Sequence, residues 1–249
     1  MQTSRPYPAL PLVSFILIFI NVLLFLFAVT LGVSALKPAS ADMIAWGANV
    51  AGLTLNGESW RLLTSMFLHI GLLHIAFNMY MLYVFGPLVE ERFGSARFTL
   101  VYFLSGLFGS LASAEWHVVQ NQIVVAAGAS GALMGISGAY VGHWLVARNR
   151  AGMQEEMDVR PLAQTIGLNL VLGFINPGVD NACHLGGLIS GVALGAAFAL
   201  GSFERSALKR FVASAIITLA SLGALYVVLD RPASLALQLL GAVTRARAR

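Results

Sequence analysis

The sequence predicts an all-α protein that crosses a membrane several times, and three observations lead there. Of 249 residues, 58% are hydrophobic and only 10% are charged, with a mean hydropathy of +0.80. Apolar runs recur along the whole chain, each near the ~20 residues that cross a bilayer as a helix. The intervals between them are short, leaving no room for a sizeable soluble domain. Backbone polar groups in hydrocarbon must be satisfied internally, so such runs read as helices.

Seven runs stand out, at roughly residues 10–34, 71–89, 98–115, 127–147, 161–176, 182–201 and 211–229. The first follows Arg5 and precedes a Val33-Ser34-Ala35 that resembles a small-residue cleavage site. Its apolar length exceeds a signal-peptide core, so it is read as an anchor that stays. The interval from Lys37 to His69 is the longest hydrophilic stretch. That is long for a structureless loop, and Trp46 and Trp60 suit the outer membrane interface.

Basic residues here are topology signals, not a nucleic-acid footprint, despite a pI near 9.6. With a cytoplasmic N-terminus, the inner segments hold Arg5, Arg92, Arg97, Arg148, Arg150, Arg160, Arg205, Lys209 and Arg210. The outer loops hold only Lys37 and Arg61. Seven crossings would leave Arg231, Arg245, Arg247 and Arg249 outside, against the rule. The bias repeats at every loop and the tail is a single exception, so this orientation is kept. Cys183 is the single cysteine, which excludes an intrachain disulfide and any multi-thiolate metal site.

Polar residues inside spans are costly and mark function. In this orientation His74 and Asn78 lie near the start of the second span, Ser130 near the start of the fourth, and His184 near the start of the sixth. All four fall in the outer half of the membrane. Gly131, Gly135, Gly138 and Gly142 of the fourth run, and Gly187, Gly191 and Gly195 of the sixth, include pairs four apart. Small residues at that spacing line one helix face and let two backbones approach. The helices carrying Ser130 and His184 are therefore expected to pack tightly, bringing a hydroxyl beside an imidazole able to take its proton. His74 and Asn78, four apart, face the same way. With the Ser130 backbone N–H they are the donors that stabilise an oxyanion. The nearest carboxylate, Asp180, is expected in the loop before the sixth span, so the arrangement reads as a Ser-His dyad.

Each residue also has a plainer reading. Ser130 alone suits helix packing, and His74 and His184 alone suit buried hydrogen bonding or a proton relay. His143, 13 residues beyond Ser130, lies roughly 20 Å along a helix and cannot join the site. His117 is expected in an outer loop, and Cys183 to be a small buried residue without chemistry. A transporter or proton channel would explain intramembrane histidines but not Gly-x-Ser-Gly.

Five motifs in order decide the matter: Trp60-Arg61, His69 to Asn78 (HIGLLHIAFN), Glu90 to Ser95 (EERFGS), Gly128 to Gly131 (GASG) and Cys183 to Gly191 (CHLGGLISG). Together they resemble the rhomboid family of intramembrane serine proteases. The resemblance implies a rhomboid-like six-helix core plus one additional C-terminal transmembrane helix. In residues, this gives a cytoplasmic segment over 1–9, a catalytic core over 10–201, a linker and seventh helix over 202–229, and a basic tail over 230–249.

The resemblance implies Ser130 as nucleophile and His184 as general base. It makes His74, Asn78 and the Ser130 N–H the oxyanion hole, and His69 a residue that helps hold water at the buried site. Trp60 and Arg61 match a first-loop motif. Glu90, Arg92 and Gly94 match a pattern at the inner end of the second helix, and Gly187 and Gly191 match close-packing glycines. Two positions depart from the family pattern: Met134 stands where many members place Tyr or Phe against the histidine, and Cys183 where Ala is frequent. The fifth span, short and carrying Gln164 and Asn169, corresponds to the family's lateral gate.

The expected activity is hydrolysis of membrane-anchored proteins near the outer end of their transmembrane helix, with no metal or other cofactor. Expected partners are transmembrane substrates and lipids, and the expected location is a bacterial inner membrane. The alternative is an inactive rhomboid-like binder of transmembrane helices.

Overall fold

The computed structural model describes residues 10–148, 158–176, 178–202 and 207–229. The expected N-terminal segment 1–9 and tail 230–249, with Arg5, Arg150, Arg205, Arg231, Arg245, Arg247 and Arg249, lie outside the described residues. Within them the protein is helical, without a named strand, as the composition predicted.

Six helices carry the core. They are α1 (Leu12–Thr30), α5 (Leu72–Phe93), α6 (Ser95–Val119), α7 (Ser130–Ala147), α8 (Arg160–Ile175) and α9 (Asn181–Ser202), and α10 (Ala207–Leu229) follows them. Each of the seven apolar runs coincides with one of these helices. Among the described residues, four are long and apolar enough to cross a membrane by length and composition: α1, α5, α6, and Asn181–Gly201 of α9. α8 has 16 residues, and the 18 residues of α7 are diluted by glycine, serine and histidine.

That dilution follows from where α7 sits. Thirteen of its residues are buried, from Gly131 to Ala147, and it packs on α9, α6, α5 and α8. A helix surrounded by protein has no lipid to satisfy, so small side chains that admit neighbours replace Leu and Phe. α1 is the opposite case: Leu12, Phe15, Ile16, Phe19, Leu23, Leu26 and Phe27 are exposed, and its packing is mainly against α5.

The glycine expectation is met by direct backbone packing between α7 and α9. A side chain on Gly187 would collide with the Gly131 carbonyl, one on Gly191 with the Gly135 carbonyl, and one on Gly195 with the Ala139 carbonyl. In the other direction, a Cβ on Gly138 would lie 2.5 Å from the Leu188 oxygen.

The interval between α1 and α5 is structured. It holds α2 (Ser40–Ala45), α3 (Ala51–Thr54), α4 (Arg61–Thr64) and a 3-10 turn at Ser65–Phe67. Arg61 is its buried centre. Its guanidinium donates to Glu58 at 2.7 Å and to the carbonyls of Ile44 at 2.7 Å and Ala48 at 3.1 Å. Trp60, half exposed, lies under the same guanidinium at 4.6 Å.

One expectation needs correction. His117 belongs to the last turn of α6, not to an outer loop. The helix outlasts the apolar run because the polar turn around Glu115 and His117 stays helical beyond it.

Candidate active site

Ser130 opens α7, immediately after Gly128 and Ala129. Gly128 has φ +137°, a conformation that L side chains rarely adopt, so glycine is required for the chain to turn into the helix here. Its backbone lies flat against the second-span side chains. A Cβ at Gly128 would stand 2.7 Å from His74 Cε1, 2.8 Å from His74 Nε2 and 3.8 Å from Asn78 Nδ2. The expected donors of α5 thus meet the turn that presents Ser130.

The orientation of His74 can be read from its other nitrogen. Ile70 donates its backbone N–H to His74 Nδ1 at 3.3 Å. A nitrogen that accepts carries no hydrogen in the neutral ring, so the proton sits on Nε2, the atom facing Gly128. Asn78 is buried and donates to the His74 carbonyl at 3.0 Å. His69 packs edge-on against His74, with ring centroids 5.3 Å apart, and is buried. Burial pushes its pKa down to about 3, with repulsion from His74 adding to the shift.

His184 lies in the first turn of α9 and is buried. Its neighbour Cys183 touches the residue after the serine: a Cβ on Gly131 would be 2.7 Å from Cys183 Sγ. Ser130 and His184 are thus each the chain neighbour of a residue in this contact. No hydrogen bond joins the Ser130 hydroxyl to His184, and His184 Nδ1 has no hydrogen-bond partner among the described residues. Met134, one turn below Ser130, is fully buried on α7.

The remaining sequence candidates lie elsewhere. At the end of α5 far from His74, Glu90 accepts from the Val13 and Ser14 N–H groups at 3.1 and 2.8 Å. The Ser14 and Ser95 hydroxyls add bonds at 2.8 and 2.7 Å, tying α1, α5 and α6 together. Arg92 donates its Nε–H to His143 Nε2 at 3.2 Å, so His143 belongs to this cluster at the far end of α5 and not to the Ser130 turn. Trp60 and Arg61 organise the first loop, as described above.

Sequence reasoning missed how that loop holds the serine turn. Asn49 and Ala126 exchange backbone hydrogen bonds at 2.9 Å, and Gly128 donates to the Ser65 carbonyl at 2.9 Å. The Asn49 amide also reaches the Ser110 carbonyl at 2.7 Å. Backbone pairing between segments this distant carries no sequence signal.

With the geometry in place, comparison with known proteins is informative. The Rhomboid domain family matches residues 56–201. The chain belongs to the rhomboid family. It is 38% identical over 191 residues to rhomboid protease GluP of Bacillus subtilis, covering 76% of this chain and 36% of that protein. Rhomboid protease AarA of Providencia stuartii is 32% identical over 202 residues, covering 74% of this chain and 71% of AarA. RHOMBOID-like protein 6, mitochondrial, of Arabidopsis thaliana is 36% identical over 165 residues, covering 64% of this chain and half of that protein. Family membership and the apolar helices make this rhomboid an integral membrane protein.

Proposed function

We propose that this rhomboid is an intramembrane serine endopeptidase that cleaves membrane-anchored proteins in or near their transmembrane helix. The observation that carries the reading is the His74 ring. Its accepting Nδ1 leaves a donating Nε2 beside the Gly128 backbone, two residues before Ser130. Helix packing alone does not require a donor aimed at that turn. The relatives named as rhomboid proteases support the same reading.

In this mechanism the Ser130 oxygen attacks the carbonyl carbon of the scissile peptide bond while its proton passes to His184. The carbonyl oxygen becomes an oxyanion held by His74 Nε2–H, the Asn78 amide and the Ser130 N–H. The Ser130 N–H is unsatisfied within its helix, and the helix dipole adds positive potential there. As the C–N bond breaks, the amine leaves with the proton from His184. Water, deprotonated by His184, then attacks the ester and frees Ser130. Substrates with helix-breaking residues near the cut expose their peptide bond at lower cost. The site faces the outer side of a bacterial inner membrane in this reading, with the N-terminus cytoplasmic. Modification of Lys37 by an impermeant amine reagent in sealed cells checks that orientation, and protection of Lys37 would reverse it.

Fluorophosphonate labelling of the purified protein in detergent tests the chemistry without a substrate. The expected result is labelling at Ser130 that Ser130→Ala and His184→Ala both abolish while remaining folded. A folded wild type that resists several such probes would instead mark an inactive binder of transmembrane helices.

A further inference from the structure

Asp180, the residue before α9, uses its two carboxylate oxygens for different tasks. Oδ1 accepts the Cys183 N–H at 3.0 Å, capping a donor left unsatisfied at the helix start. Capping needs one oxygen. Oδ2 turns to another helix, accepting the Ser113 hydroxyl at 2.5 Å and lying 3.6 Å from His117 Nε2. The Asp180 and His117 side chains are 18% and 13% exposed, so this cluster is largely screened from solvent.

Gly109, Ser113 and His117 follow one another at intervals of four on α6, on one helix face. A Cβ on Gly109 would stand 2.8 Å from the Cys183 carbonyl. One stripe of α6 therefore grips the first turn of α9 at Asp180 and at Cys183. The contacts of α9 glycines with the α7 backbone begin at Gly187, one turn beyond His184. Upstream of His184, Cys183 touches Gly131 of α7, and the Asn181 amide donates to the Leu170 carbonyl of α8 at 3.2 Å. Asp180 adds the side-chain hydrogen bond that ties this turn to α6.

We infer that Asp180 is a positioning residue: held by Ser113, with His117 beside it, it sets the place of the α9 first turn and hence of the His184 imidazole relative to Ser130. This rests on the protease reading above, since it assigns His184 a partner to be aimed at. A carboxylate accepting from a hydroxyl forms a strong, directional link, and small misplacements of a base cost up to about a hundredfold in rate.

The test compares wild type with Asp180→Ala, Asp180→Asn and Ser113→Ala by the rate and the final extent of fluorophosphonate labelling at Ser130. Expected is a drop of roughly tenfold or more in rate for Asp180→Ala with full final labelling. Ser113→Ala should lose less and add little to Asp180→Ala, because both break one link. Asp180→Asn, which keeps one acceptor oxygen, should recover part of the rate, and it carries the test with Ser113→Ala if Asp180→Ala fails to fold. An unchanged rate, or a reduced extent with an unchanged rate, overturns the inference, since the second outcome is what mere destabilisation gives.

A wild type that never labels sinks the protease reading instead. Cys183, the single cysteine, then decides the clamp. Faster reaction with a small thiol reagent in Asp180→Ala upholds it, and an equal rate overturns it.

Discussion

The Gly131 carbonyl of α7 rests directly on the Cα of Gly187 in α9, with no room for a methyl group between them. This contact sits one residue below Ser130 and three below His184, so it sets the separation of the two helices at the candidate site. Close backbone approach of this kind is how membrane helices associate when lipid offers no hydrophobic drive.

Gly187→Ala is therefore expected to push α7 and α9 apart, costing about 1–3 kcal/mol as an overpacked contact does. Labelling of Ser130 should fall together with thermal stability. Gly223→Ala is the control, because nothing lies within 4 Å of a Cβ there. Equal melting temperatures for the two variants would mean that the glycine seat is not under strain.

The His74 hydrogen bond leads to a second expectation. With Nε2–H as an oxyanion donor, His74→Ala should lower peptide-bond cleavage by roughly 10²–10³, the cost of one such donor. Substrate binding and the melting temperature should change little. Full activity in a folded His74→Ala would remove this residue from the mechanism.

Most of this scaffold could be read from the chain because burial in a bilayer leaves few choices. Runs of apolar residues near ~20 long must be helices, and the glycine stripe of α7 could only serve a close neighbour. The polar supports were harder to see. The apolar run of α6 ends at Glu115 whereas the helix continues to Val119, so hydropathy alone leaves His117 outside it. The Asn49–Ala126 pairing and the Gly128–Ser65 bond are made by backbone atoms, which any residue supplies. Asp180 was visible as a carboxylate near His184, but its bond to Ser113 depends on how α6 and α9 are aligned.

His69 adds a pH dependence to stability. Its pKa is about 3 in the folded protein, against an ordinary value of 6.5. Below 6.5 the unfolded chain takes up a proton that the folded chain refuses. The contribution of the neutral ring is therefore complete above 6.5 and is lost progressively as the pH falls towards 3. His69→Gln should show a shallower loss of stability between pH 6.5 and 4 than wild type, measured by thermal unfolding in detergent. An identical slope would mean that His69 is not buried in the neutral form.

α8 is the least anchored helix of the core. Among its described residues only Leu162 is buried, while Leu168, Val171, Leu172, Phe174 and Ile175 are exposed. Among the described residues its side-chain hydrogen bonding to α5 is weak: the Asn169 amide lies 3.6 Å from Met81 Sδ, and it also donates to the Thr165 carbonyl of its own helix at 2.9 Å. Thioether sulfur is a poor acceptor, so parting α8 from α5 breaks little. If the gap between them admits substrate helices, a disulfide joining Met81→Cys to Asn169→Cys, in a Cys183→Ala background, should block cleavage of a transmembrane substrate. Fluorophosphonate labelling of Ser130 should persist, because a small probe reaches the site without lateral entry. Reduction should restore cleavage. Undiminished cleavage by the cross-linked protein would show that substrate enters elsewhere, and loss of labelling with cleavage would show that the bridge distorts the site itself.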